Sequence, residues 1–216
     1  MSFLVVSFLS CCVLSNDVFA VADYYLGFST DNTNLLKNIQ TLPEPTTHIF
    51  GHNLSISTNN PNGARVLISA KENKTVPENI YPGGIGFASF YGTIALPARL
   101  NINSFGFAVP SNAGTGSNNF SMSYNYESGD ENIKRTALFA GMPAEFVAAQ
   151  IYSGGSKTFP VYYGAYVDGL LSEGVYKMDI IYTVIGNLPG GVLQENDNQT
   201  MEVIPNSVVG LNGGQR

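Results

Sequence analysis

An antiparallel, Ig-like β-sandwich with long loops is the fold class this sequence predicts, on three observations. Apolar residues alternate with polar ones over short stretches rather than recurring at helical spacing. Turn signals rich in Gly, Asn and Pro punctuate those stretches. The segment Leu171-Ser-Glu-Gly-Val-Tyr176 has the Leu-x-x-Gly-x-Tyr form of a tyrosine corner, in which a Tyr beginning a late sandwich strand bonds back to upstream backbone.

The elements follow in chain order. Met1 to Ala22 reads as a secretory signal: an apolar run from Phe3 to Leu14, a polar stretch, then Ala20-Val-Ala22 as a small-residue cleavage site, although no Lys or Arg precedes the run. The expected mature chain starts at Asp23 and forms one sandwich over residues 23–185, with 186–216 a flexible C-terminal tail that can add an edge strand at Met201 to Ile204. Cys11 and Cys12 fall inside the apolar run, so the mature chain is expected to lack thiols, disulfides and thiolate metal sites.

Asp31-Asn-Thr-Asn ahead of Leu35, Leu36 and Ile39 predicts a short capped helix. Leu54, Ile56 and Thr58 alternate, as do Val66, Ile68 and Ala70, and Asn59-Asn-Pro-Asn-Gly63 between them predicts a hairpin whose Gly63 takes the left-handed position. A Gly-rich loop at Tyr81 to Phe87 precedes a strand carrying Phe105, Phe107 and Val109. Phe120 to Tyr126 and Phe146 to Tyr152 are further strand candidates, with loops at Pro110 to Asn119 and Glu127 to Asn132. Pro143 can open one helical turn in Met142 to Ala149. The clearest pair closes the domain: Val161, Tyr163, Ala165 and Val167 share a face of one strand, and Tyr176, Met178, Ile180, Tyr182 and Val184 share a face of the next.

Composition narrows function. The 216-residue chain has 10 Lys and Arg against 16 Asp and Glu, a net charge of −6, which gives counterion release from nucleic acid no basic stripe to work with. Charged residues are only 12%, so solubility rests on neutral polar groups, as in many extracellular β-proteins. His48 and His52, four apart, would share one face of a strand; without a third ligand they predict solvated histidines rather than a metal site. The acidic loops at Glu127, Asp130 and Glu131 and at Glu195 and Asp197 match no calcium-loop spacing. Gly84-Ile-Gly86 does not continue into a phosphate cradle, and no nucleophile elbow occurs. Lys177 and Asp179 share the outward face of their strand. Sequons begin at Asn53, Asn73, Asn119 and Asn198, about as many as this Asn, Ser and Thr content yields by chance. No catalytic residue, metal or cofactor is expected. The outward Tyr162 and Tyr166 are the candidate ligand-binding residues, because Tyr is a favoured contact for sugars and proteins.

At three places the sequence resembles the Ig-like surface domains encoded by Saccharibacteria and related candidate-phyla bacteria. These are Leu54-Ser-Ile-Ser-Thr-Asn-Asn-Pro-Asn-Gly63 with Val66-Leu-Ile-Ser-Ala70; Leu100-Asn-Ile-Asn-Ser-Phe-Gly-Phe-Ala-Val109, where Phe105 stands for the family's Trp; and Phe139-Ala-Gly-Met-Pro143 through Tyr163-Gly-Ala-Tyr-Val-Asp168 to Gly174-Val-Tyr176. The resemblance implies a sandwich fold and a surface location, not an activity. The functional expectation is a secreted or cell-surface structural or adhesive protein, not an enzyme, meeting a protein or glycan surface, with no nucleic-acid partner and no membrane span in the mature chain. The alternatives are a secreted carbohydrate-binding or carbohydrate-active protein and a self-assembling pilus or surface-layer subunit.

Overall fold

The computed structural model describes residues 24–32, 36–40, 42–70, 78–79, 87–110, 120, 124–142, 146–172, 174–187, 201–203 and 206–212. The expected signal segment with Cys11 and Cys12, the Gly-rich stretch 81–86, residues 111–119, Pro143, the acidic residues Glu195 and Asp197, and Asn73, Asn119 and Asn198 lie outside the described residues.

Two sheets face one another. The first has the order β1 (Leu26–Thr30), β3 (Thr46–Thr58), β8 (Gly155–Val167), β6 (Ser104–Ala108), every pair antiparallel. The second runs β2 (Leu36–Gln40), β11 (Asn206–Asn212), β9 (Gly174–Gly186), β4 (Ala64–Ala70), β7 (Phe146–Ile151). The long β9 also pairs with β5 (Glu78–Asn79) and β10 (Met201–Val203). Among the described strands all pairings are antiparallel except β2 with β11. The fold is an all-β, Ig-like sandwich.

The core is the meeting of the two predicted faces. Leu54, Ile56, Phe159, Val161, Tyr163, Phe105 and Phe107 of the first sheet are buried against Tyr176, Met178, Ile180, Tyr182, Val184, Val66 and Ile68 of the second. The ring stack of Phe105 on Tyr163, 6.1 Å between centroids, and the edge-on contact of Phe87 with Tyr176 at 5.0 Å set its aromatic centre. The corner forms as predicted: Tyr176 Oη donates to the Ser172 carbonyl at 2.9 Å, carrying the chain from one sheet to the other.

Several expectations give way. Asn59 to Gly63 is no hairpin: β3 and β4 belong to different sheets, so the turn arches between them. Gly63 does take the left-handed position (φ 79°), and a Cβ there would lie 1.9 Å from the Ile151 carbonyl oxygen. Asn187 ties down the arch by donating Nδ2 to the Asn62 carbonyl. Residues 36–40 are a strand, not a helix, because Ile39 fills the core where a capped helix would have turned away. Tyr124–Glu127 (α1) and Glu131–Lys134 (α2) are helical turns in place of a strand and a loop. Phe146 to Ile151 is a strand, which removes the helical reading of residues 146–149. The strands also pass the boundary drawn at Ile185, since β10 and β11 complete the second sheet and β11 sits inside it, not at its edge.

Candidate functional site

The outer face of the first sheet is where this sandwich departs from the simple two-layer pattern. Going down β3 and β8, the outward partners are Thr47 with Tyr166, Ile49 with Gly164, and Gly51 with Tyr162; β6 adds Ser104, Gly106 and Ala108 in the same rows. The middle row is bare of side chains on β6 and β8, and Phe139 and Leu100 occupy it. A Cβ on Gly164 would lie 2.5 Å from Phe139 Cζ, and one on Gly106 2.9 Å from Phe139 Cβ. Segments 98–100 and 124–140 are thereby laid over the sheet, secured by paired backbone bonds of Phe139 with Ala98 and of Ala140 with Phe107.

This cover decides what becomes of the two predicted tyrosines. Both point away from the inter-sheet core, but neither ring is free. Tyr162 stacks on Tyr126 with centroids 4.8 Å apart and planes 8° from parallel, and its hydroxyl donates to the Glu127 carboxylate. Burial first, then the hydrogen bond to Glu127 and the charge of that carboxylate, push its phenol well above the ordinary range. Tyr166 is buried, 8% exposed, with the Arg135 guanidinium carbon 5.3 Å from its ring centroid. The expected exposed tyrosine face is therefore a packed interface within the chain. Among the described residues the exposed tyrosines are Tyr24, Tyr25, Tyr91, Tyr124 and Tyr152.

The histidine expectation also changes. His48 and His52 do share a face of β3, but it is the inward one. His52 is buried, with Nδ1 2.7 Å from Thr30 Oγ1 and Nε2 2.7 Å from the Tyr182 hydroxyl, which in turn bonds Tyr163 Oη at 2.5 Å. Burial lowers its pKa, outweighing the opposing influence of Asp31 and the Asn32 backbone. His48 is lowered by burial and by the charges of Lys134 and Lys37, with Glu131 opposing. Among the described residues no cluster of three His, Cys, Asp or Glu could hold a metal ion.

What the cover builds is a hollow of about 280 Å³ between Thr47, Arg99, Leu100, α2 and the residues after it, with Phe139 and Tyr166 at its base. The side chains of α2 fix its rim. Asp130 caps the turn by accepting from the Asn132 backbone N–H at 2.9 Å. Glu131 Oε1 accepts from the Thr47 N–H at 2.7 Å, while Lys134 Nζ donates to the Thr47 carbonyl at 3.0 Å and lies 2.9 Å from Glu131 Oε2. An ion pair thus satisfies both edge-facing backbone groups of Thr47, closing part of a strand edge that would otherwise template pairing. Burial works to raise the Glu131 pKa, but bonds from Thr47 and Lys134 prevail and hold it below the usual carboxylate range.

The hollow gathers Arg99, Lys134 and Arg135, three of the chain's 10 basic residues. Arg99 and Arg135 each bring a planar guanidinium, a fork of N–H donors with no acceptor. The arrangement suits holding an anion. Sequence reading missed it because its parts, Arg99, Lys134-Arg135 and Thr47, lie far apart in the chain; the adjacent pair of cations in a basic-poor chain was the only signal.

No family model matches the chain, and no curated protein does. Among solved structures, it is similar to PapD-like domain 7 of human CEP192, at 7% identity and TM-score 0.37, covering 95% of this chain and 100% of that one. It is also similar to AggA, the major subunit of aggregative adherence fimbriae type I of Escherichia coli, at 10% and 0.35, covering 92% and 98%. For a mutant of CfaE, the CFA/I adhesin of enterotoxigenic E. coli, the values are 9% and 0.39, covering 87% and 49%. At such TM-scores these neighbours do not bear on function, and the fold rests on the strand pairing itself. Among the described residues no helix is long and apolar enough to cross a membrane.

Proposed function

We propose that this chain is a secreted or cell-surface β-sandwich with a structural or adhesive role and no catalytic one, and that it meets its partner through the covered outer face of the β1-β3-β8-β6 sheet. The observation that carries this reading is the cationic hollow: a rigid sheet, a second packed layer and a capped strand edge hold Arg99, Lys134 and Arg135 around one concavity. Sites on rigid elements bind with little ordering penalty. The signal-like segment Met1 to Ala22, the low charge content and the abundance of Asn, Ser and Gly support the surface location.

The test is protease shaving of intact cells expressing the full chain, with a cytosolic marker as control. The chain is expected to be cleaved from whole cells, or recovered from the medium, while the marker is protected. Recovery only with the cytosolic marker would sink the surface reading.

A further inference from the structure

We infer that the hollow between Thr47, Arg99 and Arg135 is a binding site for a carboxylate-bearing sugar. This deepens the surface reading above by naming the ligand class of the same face.

Charge comes first. The chain carries a net −6, yet Arg99, Lys134 and Arg135 line one hollow in which Glu131, paired with Lys134, is the neighbouring carboxylate. A positive island in a negative molecule concentrates an anion there, and concave walls focus the field. The cations are also available. Neither Arg99 nor Arg135 has a carboxylate or carbonyl acceptor among the described residues. Arg135 is braced by the Tyr166 ring, which orders its planar fork without using its N–H donors. Lys134 spends donors on the Thr47 carbonyl and on Glu131, and an ammonium has three. A carboxylate seated between the two guanidinium groups would form the charge-assisted, bidentate pairing for which Arg is suited.

The rest of the lining is of a second kind. The Asn132 amide adds a donor and an acceptor at the rim, and Leu100, Ala137 and Phe139 supply apolar wall. A pyranose acid presents that combination: a carboxylate, hydroxyls that donate and accept, and apolar C–H faces. An Asp or Glu side chain would satisfy the cations but leave the Asn132 amide and much of the apolar wall unmet, and inorganic phosphate would leave the apolar wall bare. At about 280 Å³ the hollow lies just below the range for drug-sized ligands, which fits one sugar ring, not a long chain.

The experiment titrates the purified full-length chain at 150 mM salt with trigalacturonate, and in parallel with neutral trigalactose, hexaglutamate and inorganic phosphate, read by calorimetry. Trigalacturonate is expected to bind saturably. Arg99→Gln and Arg135→Gln, at exposed positions, are each expected to weaken it about tenfold with unchanged circular dichroism, the loss of one charge-assisted pair. Arg135→Lys keeps the charge and loses the fork, so it too is expected to weaken binding. Binding of trigalactose or hexaglutamate as tight as trigalacturonate would overturn the ligand class, as would tighter binding of phosphate. Affinity unchanged in both Gln variants would overturn the site. Absence of saturable uronate binding, in a chain that shaving finds at the surface, overturns the sugar site and leaves the surface reading standing. Arginine-dependent uronate binding by a chain found only in the cytosol upholds the site and overturns that reading.

Discussion

At the scale of single residues, two polar side chains in the core do more than fill space. Tyr176 was legible from the corner spacing alone, because its geometry is local: the Ser172 carbonyl it meets is four residues away. Replacing Tyr176 with Phe keeps the ring against Phe87 and removes the bond, so a loss of about 1 kcal/mol is expected, read as a lower urea midpoint at constant m-value. An unchanged midpoint would show that the corner guides topology without stabilising it. His52 was illegible, since its partners Thr30 and Tyr182 are brought to it only by folding. It sits neutral in the core with its pKa held below the ordinary 6.5, so the unfolded chain binds more protons once the pH drops beneath that value. Its contribution is full above about pH 6.5 and is lost as pH falls toward the depressed native value. His48 adds in the same direction. Glu131, also lowered, contributes above 4.5 and is lost only below that. Urea midpoints measured from pH 8 to 5 are therefore expected to decline from near pH 6.5, well before the carboxylate titrates; a flat profile down to pH 5 would contradict the buried, neutral His52.

At the scale of elements, strands with one apolar face were read correctly because period-two alternation is a direct record of burial. β8 and β9 are the clear cases. The misreadings of Phe120 to Tyr126 and of the Tyr162 and Tyr166 face share one cause: the outer layer on the first sheet. Phe120 to Tyr126 carries aromatics that look like a strand face, but Tyr126 spends its ring on Tyr162 and its hydroxyl on the Leu138 carbonyl, in a helical turn. Tyr162 and Tyr166 alternate outward as predicted, yet alternation says nothing about a second layer supplied from distant chain. Gly106 and Gly164 were the overlooked clue, two glycines in strands otherwise rich in large residues. Gly164→Ala would press a methyl into the Phe139 ring, and overpacking of this kind costs about 1–3 kcal/mol. Gly164→Ala is expected to lose that much in urea unfolding, and Phe139→Leu in the same chain to recover part of it, a positive coupling in a double-mutant cycle. Additive losses would mean that Phe139 does not seat on the glycine row.

For the whole molecule, the question is what completes the second sheet. β9 is its spine, and it is sided by chain from both ends of the domain: β4 and β5 on one edge, β10 and β11 on the other. β11 carries a double duty, pairing antiparallel with residues 174–179 of β9 and parallel with β2. Because it lies between two strands, its removal opens two ladders and strands β2, whose Ile39 is fully buried in the core. A chain ending at Asn187 is therefore expected to lose on the order of 10 °C in Tm, since about 3 kcal/mol corresponds to that shift in a domain of this size. The bared edge of β9 is also a template for pairing, so the shortened chain is expected to associate as concentration rises in sedimentation velocity, where the full chain does not. A synthetic peptide of residues 206–212 should restore the Tm by adding back the missing strand, as extended peptides do at open sheet edges. If the shortened chain melts at the full-length temperature, β11 is not integral to the sheet. If it melts lower but the peptide leaves it unchanged, the strand is held by its covalent connection more than by its ladder.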